Sequence, residues 1–238
     1  MDAFSRTRLL LGNEAMDKLK NAHVAVFGMG GVGGYVVEAL ARSGIGELTL
    51  VDHDTISITN INRQILATVD TVGMEKSDAA AQRVRSINPD CKVHPLHKFY
   101  GPDTASEFDF SSYSYVVDAI DTVTGKLALI AAAKAADVPI LCCLGTGNKL
   151  DPTRFQITDI AKTSVCPLAR IMRKECAKRG YKNVKVLYSK EDPIPSDPSA
   201  LLDEELPEGR RALPGSVAFV PSVAGLIIAG EVIKDLAK

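Results

Sequence analysis

The chain has 238 residues, 46% hydrophobic and 24% charged, enough apolar material for a sizeable core without covalent staples. That excludes a disordered chain, a collagen and a small disulfide scaffold. The 28 Lys and Arg and 29 Asp and Glu leave a net charge of −1, which taken globally argues against a histone-like nucleic-acid binder.

The N-terminus lacks the apolar stretch of a secretion signal. The uncharged segment 216–230 is broken by Pro221 and falls short of the ~20 residues that span a bilayer. No stable membrane insertion is expected, and five cysteines fit a reducing cytoplasm.

Residues 24–28 form a short apolar run ending in glycine, which reads as a buried parallel strand. Gly28-Met-Gly30-Gly31-Val-Gly33 follows, then a helical face of Val36, Val37, Leu40 and Ala41 that stops at Ser43-Gly44. Leu48 to Val51 is the next strand and ends at Asp52, completing a βαβ start. A helix is expected over 76–87, strands over 91–96 and 115–117, a helix over 124–136 and a strand over 139–144. This alternation predicts an α/β fold with a Rossmann-like doubly wound, mostly parallel sheet. Residues 1–150 would form that nucleotide-binding part, with an N-terminal helical arm.

Residues 151–238 change in texture. Residues 155–160 alternate like a half-exposed antiparallel strand, 166–179 suit an amphipathic helix, and 191–215 hold five prolines and read as a loop. A C-terminal core helix is expected over 223–236, with Pro221 just ahead of it.

The glycine run lets backbone N–H groups approach a phosphate at a helix start. Asp52, 19 residues past Gly33, can accept hydrogen bonds from ribose hydroxyls. To this point an NAD-dependent dehydrogenase and an ATP-binding enzyme fit equally. The next segment favours ATP. Asn60, Asn62, Arg63, Gln64 and Lys76 follow within reach of the same crevice, and a guanidinium fork with an ammonium suits a polyphosphate. Asp118-Ala-Ile-Asp121 ends the fourth strand at the sheet's carboxyl edge. Asp121, at the tip, can reach a magnesium ion on the phosphates; Asp118 sits deeper and is equally suited to a structural role.

Taken together, G-x-G-G-x-G, D-x-D, N-x-N-R-Q, G-x-x-K and D-A-I-D resemble the ubiquitin-activating-enzyme-like adenylyltransferases, which include those of thiamine and molybdopterin biosynthesis. Phe4-Ser-Arg6-Thr-Arg8-Leu, Ile61-Asn-Arg-Gln, Asp151-Pro-Thr and Ala161-Lys-Thr are most similar to one branch, the tRNA threonylcarbamoyladenosine dehydratases. That resemblance implies an ATP-dependent cyclisation of the threonylcarbamoyl group on the adenosine next to the anticodon, through an acyl-adenylate. It implies that Gly28, Gly30 and Gly31 cradle the phosphates and Asp52 holds the ribose. Asp54 and Gln64 would line the same site, Asn60, Arg63 and Lys76 would contact the triphosphate, and Asp121 would bind Mg2+. It also implies a homodimer in which Arg6, or alternatively Arg8, reaches the partner's ATP.

The alternative within the superfamily is an adenylyltransferase acting on the C-terminus of a small sulfur-carrier or ubiquitin-like protein. Such relatives usually carry paired C-x-x-C zinc sites, absent here, so no zinc is expected. Cys166 is the only cysteine placed for thioester chemistry, which the dehydratase reaction does not need; Cys142 and Cys143 read as core.

Position by position, the near-zero net charge is a cancellation. Eleven Lys and Arg against three acids occupy 149–190, and seven acids with no base occupy 191–208. On the 166–179 helix, Leu168, Ile171, Met172 and Cys176 would face inward while Arg170, Arg173, Lys174 and Lys178 offer tRNA a basic face. A sulfur-relay protein as partner and a monovalent cation near this segment stay open.

Overall fold

The computed structural model describes residues 2–195, 197 and 214–238. An N-terminal helix α1 (Ser5–Asn21), bent at Gly12 where φ is 83°, leads into β1 (His23–Phe27). Then come α2 (Gly33–Arg42), β2 (Glu47–Asp52), α3 (Lys76–Ile87) and β3 (Lys92–His97). The second half runs β4 (Tyr115–Asp118), α4 (Val123–Ala135), β5 (Ile140–Cys143), β6 (Phe155–Asp159), α5 (Pro167–Lys178), β7 (Lys185–Ser189) and α6 (Phe219–Leu236).

The seven strands form one sheet in the order β3-β2-β1-β4-β5-β7-β6, parallel except where β6 meets β7. The expected mostly parallel sheet, antiparallel extension and C-terminal helix are all present. The central strands read as unbroken apolar runs because both faces are covered. One core lies between the sheet and α1, α2, α3 and α6, and includes the expected helical face of Val36, Val37, Leu40 and Ala41. The other lies under α4 and α5 and includes Phe27, Tyr100, Phe108 and Phe110. β3, at one edge, tolerates Pro95 because no strand among the described residues pairs with its outer side.

Strand order reverses between β1 and β4, so their carboxyl ends diverge to open a crevice. Two close approaches there demand glycine. A β-carbon on Gly33 would lie 1.7 Å from the Gly28 carbonyl oxygen, and one on Gly28, whose φ is 93°, would lie 2.7 Å from the Ala119 oxygen.

Two elements differ from expectation. β7 was not foreseen; it inserts between β5 and β6, pairing Leu141 with Lys185 and Ile157 with Leu187. α6 begins at Phe219, so Pro221 lies inside its first turn, where a missing N–H costs no helical bond. Most of the 191–215 loop and of its acidic run lies outside the described residues. No helix among the described residues is long and apolar enough to cross a membrane.

Candidate functional site

A cavity of about 670 Å³ occupies the crevice, and the residues singled out above converge on it from distant parts of the chain. Gly28, Gly30 and Gly31 line its floor, Asp52 and Asp54 come from the end of β2, and Asn60, Arg63 and Gln64 come from the following turns. Lys76 starts α3, and Asp121 follows β4.

Asp52 organises the glycine loop. One carboxylate oxygen accepts the Met29 N–H at 2.6 Å and the other the Asp54 N–H at 2.8 Å. A carboxylate has about four lone-pair sites, so capacity remains for a ribose hydroxyl. Lys76 is buried, and its ammonium meets Asp54 at 2.7 Å, which points it along the cavity wall. Asn60 caps its own 3-10 turn by accepting the Ser57 N–H at 3.2 Å. The Arg63 guanidinium donates to the Thr59 carbonyl at 2.8 Å and to Asn62 at 3.0 Å. Burial lowers its pKa from the ordinary value, and a polyphosphate would compensate that burial. Asn62 in turn donates to the Ser216 carbonyl at 3.0 Å, tying this segment to the approach to α6.

Two buried atoms in the lining, Gln64 Oε1 and Tyr100 Oη, have no hydrogen-bond partner among the described residues. Unpaired polar atoms at such depth call for a ligand that supplies the bond. The glycine cradle, the cationic wall and these two atoms fit a nucleoside triphosphate.

Beneath the cavity lies an ion pair that sequence reading missed. Lys126, from α4, is 1% exposed; its ammonium donates to both oxygens of fully buried Asp118 at 3.0 and 3.1 Å and to the Cys143 carbonyl at 2.6 Å. Burial alone would drive the ammonium toward neutrality, but the Asp118 carboxylate reverses this and holds its pKa above the usual lysine value. Asp118 also accepts the Ile120 N–H at 3.2 Å. The pair therefore fixes the turn carrying Asp121 against the end of β5. No local pattern links residues 118 and 126; only the packing of α4 on the sheet joins them.

The far side of the cavity also went unnoticed in the sequence. Residues 145–149 and the start of α5 at Cys166 and Pro167 close it. Asn148, at φ 58°, exchanges bonds with Gly215 and accepts the Ile194 N–H at 2.8 Å, and Glu191 accepts the N–H groups of Leu150 and Asp151 at 2.8 and 3.0 Å. This wall thus borders both ends of the undescribed segment.

A model of the ThiF family matches residues 4–238. The chain belongs to the ThiF family. It is 45% identical over 240 residues to tRNA threonylcarbamoyladenosine dehydratase of Bacillus subtilis, covering 99% of this chain and 94% of that protein. Among solved structures it is similar to the E. coli tRNA N6-threonylcarbamoyladenosine dehydratase, TcdA, in complex with ATP. The TM-score is 0.87 and the identity 36%, covering 98% of this chain and 93% of the other. The same E. coli protein in complex with AMP gives a TM-score of 0.86 at the same identity and coverage.

On α5, Arg170, Lys174 and Lys178 are exposed, whereas Arg173 turns inward and donates to the Thr163 carbonyl at 2.7 Å. Ile171 is 49% exposed, so the inward stripe is Ala169, Met172 and Cys176. Other members of the basic segment serve the scaffold: Lys149 is buried on the Glu191 carbonyl, and Lys185 bridges Glu231 and Asp235. At the N-terminus, Arg8 is held by Asp2 at 2.9 Å and Asn13 at 3.3 Å. Arg6 is exposed on α1 and is not part of its own chain's cavity wall. All five cysteines are free and buried; burial pushes the Cys143 thiol up to about 12 and Cys142 well above its ordinary value. Cys166, also buried, caps α5 at the cavity.

Proposed function

We propose that this protein is an ATP-dependent tRNA threonylcarbamoyladenosine dehydratase. The observation that carries the reading is one continuous cavity, lined by the glycine loop, Arg63 and Lys76 at one end and extended past Asp121 toward residues 145–149 and α5. The nucleotide fills the first half. The threonylcarbamoyl side chain of the adenosine next to the anticodon enters the second.

The threonine carboxylate attacks the α-phosphorus of ATP; the bond to the bridging oxygen breaks and pyrophosphate leaves. The product is an acyl-adenylate. The carbamoyl oxygen of the same side chain then attacks the activated carbonyl carbon, AMP departs, and the ring closes with net loss of one water. Carboxylates are ionised at neutral pH, so the first step needs no general base. Because both reacting groups belong to one side chain, holding it folded supplies much of the rate. Arg63 and Lys76 stabilise charge developing on the phosphates. Asp121 would hold Mg2+, which when bound neutralises phosphate charge. The five buried free thiols fit a cytoplasmic setting.

In this reading the protein acts as a homodimer, and Arg6 completes the partner's site. Arg6→Ala is expected to lower turnover about 10²-fold. Mixing it with Asp121→Ala should rebuild one complete site per mixed dimer and recover about a quarter of wild-type activity after subunit exchange. Failure to recover any activity in verified mixed dimers would contradict action in trans.

Arg170, Lys174 and Lys178 would contact tRNA phosphates. Replacing all three by Ala should weaken tRNA binding while leaving the ATP dissociation constant unchanged. The slope of log affinity against log salt should fall by about one per lost contact; an unchanged slope would remove α5 from the tRNA surface. Pyrophosphate release that requires tRNA, and does not respond to a carrier protein ending in Gly-Gly, tests the substrate class.

A further inference from the structure

A second cluster of ligating side chains lies at the opposite end of the sheet. His23 and Glu47 open β1 and β2 and pair in register, and His94 sits beside them on edge strand β3. None of the three lines the nucleotide cavity. Glu47 Oε1 is the common point, 2.8 Å from His94 Nε2 and 3.8 Å from His23 Nδ1, and all three donor atoms lie within 4.8 Å of one another. The other Glu47 oxygen faces Lys92 Nζ at 3.9 Å, which leaves Oε1 toward the imidazoles.

The geometry points to a peripheral site for one borderline divalent transition ion, with Zn2+ as its probe, held by His23, Glu47 and His94 with water completing the shell. Zinc bound about 2.1 Å from each donor needs donors about 3.4 Å apart in a tetrahedron, so small rotations of partly exposed side chains suffice. Two imidazoles and a carboxylate match the ion's preference, and this donor set is unrelated to the absent C-x-x-C pairs.

The surroundings also suit an ion. His23 Nε2 lies 2.8 Å from Thr49 Oγ1, and Nδ1 is 3.2 Å from the Ser112 carbonyl. With the proton on Nε2 donated to Thr49, Nδ1 presents its lone pair to the metal, and the longer Ser112 contact is given up. Burial keeps His23 below the ordinary histidine pKa, while the hydrogen bond from His94 holds Glu47 below the usual carboxylate range. On binding, His94 Nε2 would give up its hydrogen bond to Glu47 Oε1 and offer its lone pair to the ion instead. A bound ion would pin β1, β2 and β3 together at the sheet edge.

The test is a Zn2+ titration of the chelator-stripped full chain against a chromogenic competitor, with excess Mg2+ to mask carboxylate sites. One Zn2+ per chain is expected, with a higher melting temperature on binding. His94→Gln and Glu47→Gln should each weaken affinity by more than tenfold, and Thr49→Val, which removes the outer hydrogen bond to His23 and one to Tyr113, by about tenfold. His97→Gln, whose ring faces Glu75 at 3.5 Å, serves as the control and should change nothing. Circular dichroism establishes that each variant is folded. Wild-type affinity and stoichiometry in both His94→Gln and Glu47→Gln, or no uptake by the wild-type chain at micromolar zinc, would overturn the site.

Discussion

Asp121→Ala is expected to lower tRNA-dependent pyrophosphate release by roughly 10³-fold while leaving the protein folded. Asp121 is exposed at the cavity mouth, just past the end of β4, so its removal disturbs little packing. Surface substitutions of this kind change stability by only about 0.5 kcal/mol, and the melting temperature should move by no more than about 2 °C. The loss should fall on kcat more than on the ATP dissociation constant, because Asp121 is assigned to charge that develops as phosphate bonds rearrange. Asp121→Asn should be nearly as impaired, since an amide keeps the shape and loses the anion. Near-normal ATP–pyrophosphate exchange in Asp121→Ala would remove this residue from the chemistry.

Lys126→Met should be the most destabilising single change at the site, by about 3–5 kcal/mol, because it leaves the buried Asp118 carboxylate without its cation. For a chain of this size that is a fall of roughly 10–15 °C in melting temperature. The double variant Asp118→Leu/Lys126→Met removes both charges and should regain more than half of the lost stability. It should nevertheless stay poorly active, because the bond from the Ile120 N–H to Asp118 is gone and the turn bearing Asp121 loses its anchor. Differential scanning calorimetry with a parallel activity assay separates the two effects. A Lys126→Met variant melting within 2–3 °C of wild type would contradict the burial argument.

Features encoded locally were legible in the sequence. The strand at 23–27, the glycine turn and α2 announce themselves because a strand buried on both faces must be apolar throughout, and because only glycine fits where Gly33 meets the Gly28 carbonyl. Asp52, Arg63, Lys76 and Asp121 could be placed at one cavity because doubly wound sheets collect their loops at the carboxyl edge.

What stayed hidden depends on contacts between distant segments. β7 is a five-residue strand that begins with a lysine, and it exists because β5 and β6 flank it. Lys126 looks like one cation in an alanine-rich helix until α4 docks and seats it on Asp118. Counting charges over 149–190 overstated the basic surface: Lys149, Arg173 and Lys185 bind carbonyls and acids of the scaffold. Asp52 has a second duty, bridging Met29 and Asp54, that no spacing rule reveals.

The central claim is the cyclisation itself. tRNA bearing threonylcarbamoyladenosine, incubated with the protein, ATP and Mg2+, should yield on nuclease digestion and mass spectrometry a nucleoside lighter by one water, with one AMP and one pyrophosphate formed per conversion. The conversion should be absent without ATP and in Asp121→Ala. An unchanged nucleoside mass in the presence of wild-type protein that binds both ATP and the tRNA would contradict the assignment.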